Sequence, residues 1–335
     1  MRVSFANRVV VHMGPHKTGT TAIQQYFFEH APALADQGVL YPEAGRHPHF
    51  PNQHWLLGQA ICQGDEAYLD QFVRELNDEI AASSPDTIVI STETLAREAV
   101  GVEHLRRLRA LFPDATVEWA LLFREPEKLR RSRYAEQVRA GLLAFPRGIE
   151  DLINPRFIGQ LERVAMLAKA CPEDAIRVTS FDAAKANLAE HFLAMLGLET
   201  LYDRAWADGS THESLPVGVT EFFRYVNRLP ERFAGPVRRR IRQGVWDKGW
   251  RFAWAGSAPD PELDDLRPFL ASNRAIERLF FEGKSVGLAP HNSGLASDPI
   301  MQDHMWLKDH VIAYDPLEGD PAANPVQDVN ERKTA

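Results

Sequence analysis

Residues 8–28 run RVVVHMGPHKTGTTAIQQYFF, a β-branched apolar stretch that breaks into glycine, one lysine and three threonines before a helix-spaced pattern begins. A strand apolar on both faces has to be covered on both, which demands layers above and below it. The break that follows has a local consequence of its own. A Gly-rich turn between a strand and a helix points several backbone N–H groups at one spot, and the helix adds the positive end of its dipole. This stretch therefore predicts a sheet with helices on its faces and an anion-binding loop at one edge.

The rest of the chain extends that pattern. RVVVHM at 8–13, TIVIST at 87–92 and TVEWALLF at 116–123 are short apolar or β-branched runs, and AIRVTSF at 175–181 is a weaker fourth. Helical patterns lie between them: Phe157, Leu161, Val164, Ala165 and Ala168 recur at helical spacing, and AKANLAEHFLAMLGL stops at Gly197. Strands alternating with helices imply an α/β fold with a central parallel sheet flanked by helices, in three layers.

With 335 residues the chain can hold two domains or one α/β domain with insertions. We assign residues 1–290 to the α/β domain. Within it, residues 228–251 are rich in arginine and carry two tryptophans, which makes them either a solvated helix face with packed aromatics or an anion-facing lid. From residue 291 to 335 the composition turns to Pro, Asp, Asn and Gly, so an extended, partly disordered arm is expected. Such an arm could reach a neighbouring subunit, and a homo-oligomer is among the expected states.

The formal charge of −8 argues against a surface built to grip nucleic acid, so any polyanion site must be local. Cys62 and Cys171 stand far apart without a second ligand at metal spacing, so neither a metal site nor a disulfide framework is expected. No apolar stretch approaches the ~18 residues of a transmembrane segment, and the amino-terminal apolar run is too short for a signal peptide. The default address is the cytoplasm.

In the common nucleotide-triphosphatase loop, G-x-x-x-x-G-K-[ST], the lysine follows the second glycine and the next hydroxyl ligates magnesium. Here the order is Gly14, Pro15, His16, Lys17, Thr18, Gly19, Thr20, Thr21. Lysine precedes that glycine by two and projects from the early part of the loop, where it can meet a bridging oxygen or leaving group. Neither TIVIST nor TVEWALLF ends in the aspartate that would help hold magnesium. A metal-free cradle for a single phosphate fits these residues better than a triphosphate site.

GPHKTGTT after a strand resembles the 5′-phosphosulfate loop of sulfotransferases that use 3′-phosphoadenosine 5′-phosphosulfate (PAPS), bacterial members in particular. LLFREPEKLRRSRYAEQV resembles the family's second motif, a strand ending in an arginine followed by a proline and a helix carrying a serine. The resemblance runs from about residue 8 to about residue 288. It implies a P-loop-like fold and a cofactor held by Pro15, His16, Lys17, Thr18, Gly19, Thr20 and Thr21, with Arg124 and Ser132 on the 3′-phosphate. It also implies sulfuryl transfer from PAPS to a hydroxyl or amine of an acceptor, with 3′-phosphoadenosine 5′-phosphate (PAP) as the product. The match weakens at SFDAAK, where the family has tyrosine, glutamate and aspartate, and at STHESLP, where His212 stands in place of an asparagine.

Such a transfer requires charge stabilisation on the leaving phosphate, which falls to Lys17, and a base for the acceptor's proton. RHPHFPNQHWLLGQA holds His47, His49 and His54, and STETL places Glu93 just past the second strand. Histidine titrates near working pH unaided, so His54 is the favoured base and Glu93 the alternative. The acceptor stays open among carbohydrate, lipid head group and small metabolite. A P-loop kinase and a non-catalytic nucleotide-binding protein are the competing readings.

Overall fold

The computed structural model describes residues 2–5, 7–97, 99–144, 147, 159–206, 217–248, 274–282, 284–286 and 311–314. A six-stranded, wholly parallel sheet lies at its centre: β1 (Arg8–His12), β2 (Val39–Leu40), β3 (Thr87–Ser91), β4 (Thr116–Phe123), β5 (Ala175–Ser180) and β6 (Val311–Tyr314). Their spatial order is β2-β3-β1-β4-β5-β6. Parallel neighbours need crossover connections, which carry helices on to both faces.

The alternation of side chains along each strand divides the core in two. Val9, Val11, Ile88, Ile90, Val117, Trp119, Leu121 and Phe123 face one layer, where they pack on α3 (Trp55–Gln63), α4 (Glu66–Ser83), α5 (Val102–Ala110) and α7 (Gln160–Ala170). Val10, Val89, Ala120 and Leu122 face the other layer, against α1 (Thr20–Glu29), α2 (Ala31–Ala35) and α9 (Leu188–Met195). Each fully buried Leu, Ile or Phe contributes about 1.5–3 kcal/mol relative to exposure, so both faces are strongly specified. The fold is the three-layer α/β arrangement the strand pattern predicts.

Two strands are invisible in the sequence. β2 is two residues long, and β6 sits inside the Pro- and Asp-rich stretch beyond residue 290, pairing Ile176 to Val311 and Thr179 to Tyr314. That stretch therefore supplies an edge of the sheet at residues 311–314, and the remainder of 291–335 lies outside the described residues. So do residues 249–251 of the basic stretch and the STHESLP segment at 210–216.

Helix α6 (Pro126–Arg139) starts where β4 ends, with Pro126 at its first turn and the Glu125 carboxylate accepting from the N–H groups of Glu127 (2.9 Å) and Lys128 (2.8 Å). A satellite core of Tyr134, Val138, Leu143, Val219 and Phe223 fastens α10 (Val217–Val226) to α6, and α11 (Glu231–Lys248) follows α10 after a tight turn. Among the described residues no helix is long and apolar enough to cross a membrane.

Candidate functional site

β1 lies between β3 and β4 in the sheet, although β2 and β3 follow it in the chain, so the crevice at its carboxyl end is where the strand order reverses. The GPHKTGTT loop fills that crevice. Two glycines there are required sterically. A Cβ on Gly14 would stand 1.9 Å from Thr20 Cγ2, and Gly19, with φ of 80°, would drive one to 2.2 Å from Leu188 Cδ2. Lys17 also has a positive φ, 69°, which costs a side-chain-bearing residue about 1 kcal/mol or more.

The loop's hydroxyls and amides part company. Thr18 is buried and donates to the Pro15 carbonyl (2.7 Å), closing the loop on itself, while buried Thr20 donates to the Glu93 carboxylate. Thr21 is exposed. The backbone N–H groups of Lys17, Gly19, Thr20 and Thr21 have no backbone acceptor among the described residues. The loop thus offers an anion its amides and the start of α1, with the Thr18 and Thr20 hydroxyls already engaged in shaping it.

Arg124 comes to the loop from the end of β4. Its Nη1 donates to the Lys17 carbonyl at 2.7 Å, and its guanidinium lies 4.8 Å from the centre of the Phe181 ring. The backbone of Arg124 is pinned by the Gln160 amide, whose Oε1 accepts from its N–H (2.8 Å) and whose Nε2 donates to its carbonyl (2.7 Å). Phe181 opens α8 (Phe181–Ala184) and lies close under Gly19. Sequence reading missed both Gln160 and Phe181, because a glutamine at a helix start and a phenylalanine after a strand carry no motif of their own.

Lys17 Nζ pairs with Glu136 Oε1 at 2.7 Å, and Glu136 also holds Arg133 at 2.7 Å. Burial pushes the Glu136 carboxyl up, but Lys17 and Arg133 outweigh it and hold it below the usual range. Lys128, Ser132 and Glu136 lie four residues apart on α6 and so share one helix face. At its two ends this face meets Asp182, 3.4 Å from Lys128 Nζ, and Lys17; Ser132 sits midway, half-buried. The structure therefore joins Lys17 and Arg124 at the carboxyl edge of β1 and β4, with Ser132 on the α6 face between Lys128 and Glu136.

Glu93, just past β3, reaches the same loop. Its carboxylate bridges His16 Nδ1 on one oxygen and the Thr20 hydroxyl on the other. Burial raises its pKa, but His16, the Thr20 hydroxyl and the nearby His12 together hold it below the ordinary carboxylate value. The Glu93 carboxylate thereby fixes the orientation of the His16 imidazole through Nδ1.

His54, the histidine favoured as base from the sequence, is not at the site. It is fully buried behind β3, with Nδ1 accepting from the Ser91 N–H (3.0 Å) and Nε2 donating to the Pro42 carbonyl (3.0 Å). Burial, aided by the Arg46 guanidinium, lowers its pKa to about 3. With both ring nitrogens engaged and no exposed surface, it cannot meet an acceptor; it ties the chain before α3 to the end of β3. On the same segment the His47 ring meets His49 and Phe50 at a tilt and Trp55 edge-on.

Beneath the loop lies a second buried histidine that sequence reading passed over. His12 Nδ1 is 2.8 Å from the Ser91 hydroxyl, which also accepts from Gln24 Nε2 at 3.0 Å. Burial lowers the His12 pKa to about 4, against the pull of Glu93. Among the described residues no group of three or more His, Cys, Asp or Glu is placed to hold a metal ion.

No family model matches the chain, and no curated protein matches it. A solved structure described under the PezAT chromosomal toxin–antitoxin system of Streptococcus pneumoniae aligns at 18% identity, over 66% of this chain and 86% of that one, with a TM-score of 0.27. An alignment at that score carries no argument about this chain.

Proposed function

We propose that this chain is a PAPS-dependent sulfotransferase. The observation that carries the proposal is the joining of two anion-binding features 107 residues apart: Arg124 at the end of β4 grips the Lys17 carbonyl of a loop in which the amides of Lys17, Gly19, Thr20 and Thr21 have no backbone acceptor among the described residues. The residues fit the cofactor. The amides of residues 17–21 would hold its 5′-phosphate, and Arg124 with Ser132 its 3′-phosphate, as in the sulfotransferases the two motifs resemble. Bound PAPS would supply a sulfuryl group activated by its attachment to a phosphate.

The chain's own residues would do the rest. Lys17 Nζ is held at the loop by Glu136, so exchanging that carboxylate for phosphate oxygens would place a positive charge where leaving-group charge grows. With His54 buried, the proton of an acceptor hydroxyl or amine would pass to His16, oriented by Glu93. Phe181 would hold the Arg124 guanidinium flat and shield it from water.

Calorimetry with PAP and AMP, each with and without magnesium, tests the assignment. PAP should bind well above AMP and without metal, and Arg124→Ala should remove that preference. Equal affinity for the two nucleotides would end the proposal, and a magnesium requirement would favour the kinase reading.

A further inference from the structure

From Arg224 to Phe233 the sequence pairs an arginine with a large apolar residue every four positions: Arg224 and Tyr225, Arg228 and Leu229, Arg232 and Phe233. The structure places these pairs at the tip where α10 turns into α11. Tyr225, Leu229 and Phe233 are 51%, 50% and 55% exposed, three of the five large apolar residues exposed among those described. A fourth, Leu142, adjoins Leu143, whose carbonyl accepts from Asn227 in this same turn at 2.7 Å. Single exposed apolar residues are ordinary; a concentration of them at one projecting turn is not.

The arginines are arranged around the rings. The Arg232 guanidinium lies 4.9 Å from the centre of the Phe233 ring, and Arg224 lies 5.5 Å from that of Tyr225 while donating to the Arg147 carbonyl. Helix α11 continues the positive character with exposed Arg239 and Arg240, in a chain whose net charge is −8. An acidic protein that concentrates arginine and exposed apolar surface at one tip presents complementarity to a partner that is anionic outside and apolar just beneath.

We propose that the α10–α11 tip docks on an anionic lipid bilayer, with Tyr225, Leu229 and Phe233 entering the boundary between head groups and acyl chains and Arg228 and Arg232 resting on the lipid phosphates. Arginine suits this position, since its stem lies along apolar surface while its head group meets phosphate. Nucleic acid or a soluble polyanion would be served by the arginines alone and leaves half-exposed Leu229 and Phe233 without a role. The turn is also rigidly based: Asn227 donates to the Val138 carbonyl of α6 at 2.7 Å, and Arg238 braces Asn227 and Glu231.

Sedimentation of the full chain with vesicles tests the proposal without any nucleotide, so its outcome is separate from that of the sulfotransferase assignment. Vesicles of phosphatidylcholine with phosphatidylglycerol should bind the protein, and vesicles of phosphatidylcholine alone should not. Combined Tyr225→Ser, Leu229→Ser and Phe233→Ser should weaken binding at least tenfold. Combined Arg228→Gln and Arg232→Gln should cost roughly fivefold per arginine. As a readout independent of these variants' folding, Phe233→Trp should show a blue-shifted difference fluorescence on anionic vesicles. Failure to bind anionic vesicles, undiminished binding by the folded triple-serine variant, or an unshifted signal from the Phe233→Trp variant would overturn the proposal. So would a dimer that the triple-serine variant converts to monomer, since the tip would then belong to a second copy of the chain.

Discussion

Arg124 Nη1 donates to the carbonyl of Lys17 at 2.7 Å, joining the end of β4 to a loop residue with φ of 69°. A left-handed lysine is tolerated only where its surroundings hold it, and here they do so at both ends. The guanidinium fixes the carbonyl while Glu136 takes the ammonium. The clamp thus ties the Lys17 backbone to β4 and its side chain to α6.

Lys17→Gly should separate the conformational role of this residue from its chemical one. Glycine accepts the positive φ without strain, so the variant should be as stable as the parent or more so, by up to about 1 kcal/mol. Turnover, measured as PAP formed from PAPS with a panel of acceptors, should fall by something on the order of 10²–10³, as when one charge-stabilising donor is removed. Its affinity for PAP should fall far less. A loss of affinity equal to the loss of rate would reassign Lys17 to ground-state binding.

The base assignment is open to a direct comparison of three variants. His16→Gln and Glu93→Gln should each depress sulfuryl transfer by at least about 10² while leaving PAP binding within a few-fold, since the proposed function has one group take the proton and the other orient it. His54→Gln should retain near-normal transfer in the folded protein, because Gln can keep both backbone contacts. If the His54 variant is folded and inactive while the His16 variant is active, the assignment fails.

Acid stability follows from the buried histidines. His12 is lowered to about 4 and His54 to about 3 from an ordinary 6.5, chiefly by burial, and His191 is displaced in the same direction. As pH falls through 6.5 the unfolded chain takes up protons that the folded chain refuses, so stability declines from there down to about pH 4. Each fully buried histidine contributes a slope of about 1.4 kcal/mol per pH unit within that window. Glu93 and Glu118, whose carboxyls are held below their ordinary 4.5, lose their contribution only at lower pH. Urea denaturation at neutral pH and at successively lower values should show the decline, and His54→Gln should make it shallower. A flat profile over this window would contradict the burial of both rings.

The strand–loop–helix at residues 8–28 was legible because its information is local: β-branched residues, a glycine that a Cβ would wreck, and a helix period, all within one stretch. TIVIST and TVEWALLF were legible for the same reason, as was the placing of Arg124 at a strand end. β2 and β6 were not, since two residues carry no period and VIAY is surrounded by the composition of a loop. Whether a short apolar run pairs depends on the neighbouring strand, here β5, and not on the run itself.

The division is sharpest among the polar residues. Sequence alone determined that Lys17 lies in the loop after the first strand, Arg124 at the end of a later one and Ser132 on the helix that follows, because those positions are fixed by the α/β rhythm. Only the tertiary structure decided what each histidine does. His16, His12 and His54 are the same residue type within one stretch of chain, yet one is oriented by Glu93 and two are packed around Ser91. The cause is desolvation: a ring enclosed by β3 and its neighbours is neutral and structural, while His16 stays partly exposed in the loop beside the Glu93 carboxylate. Burial of that kind is set by chain segments far apart in sequence, so no local pattern could have announced it.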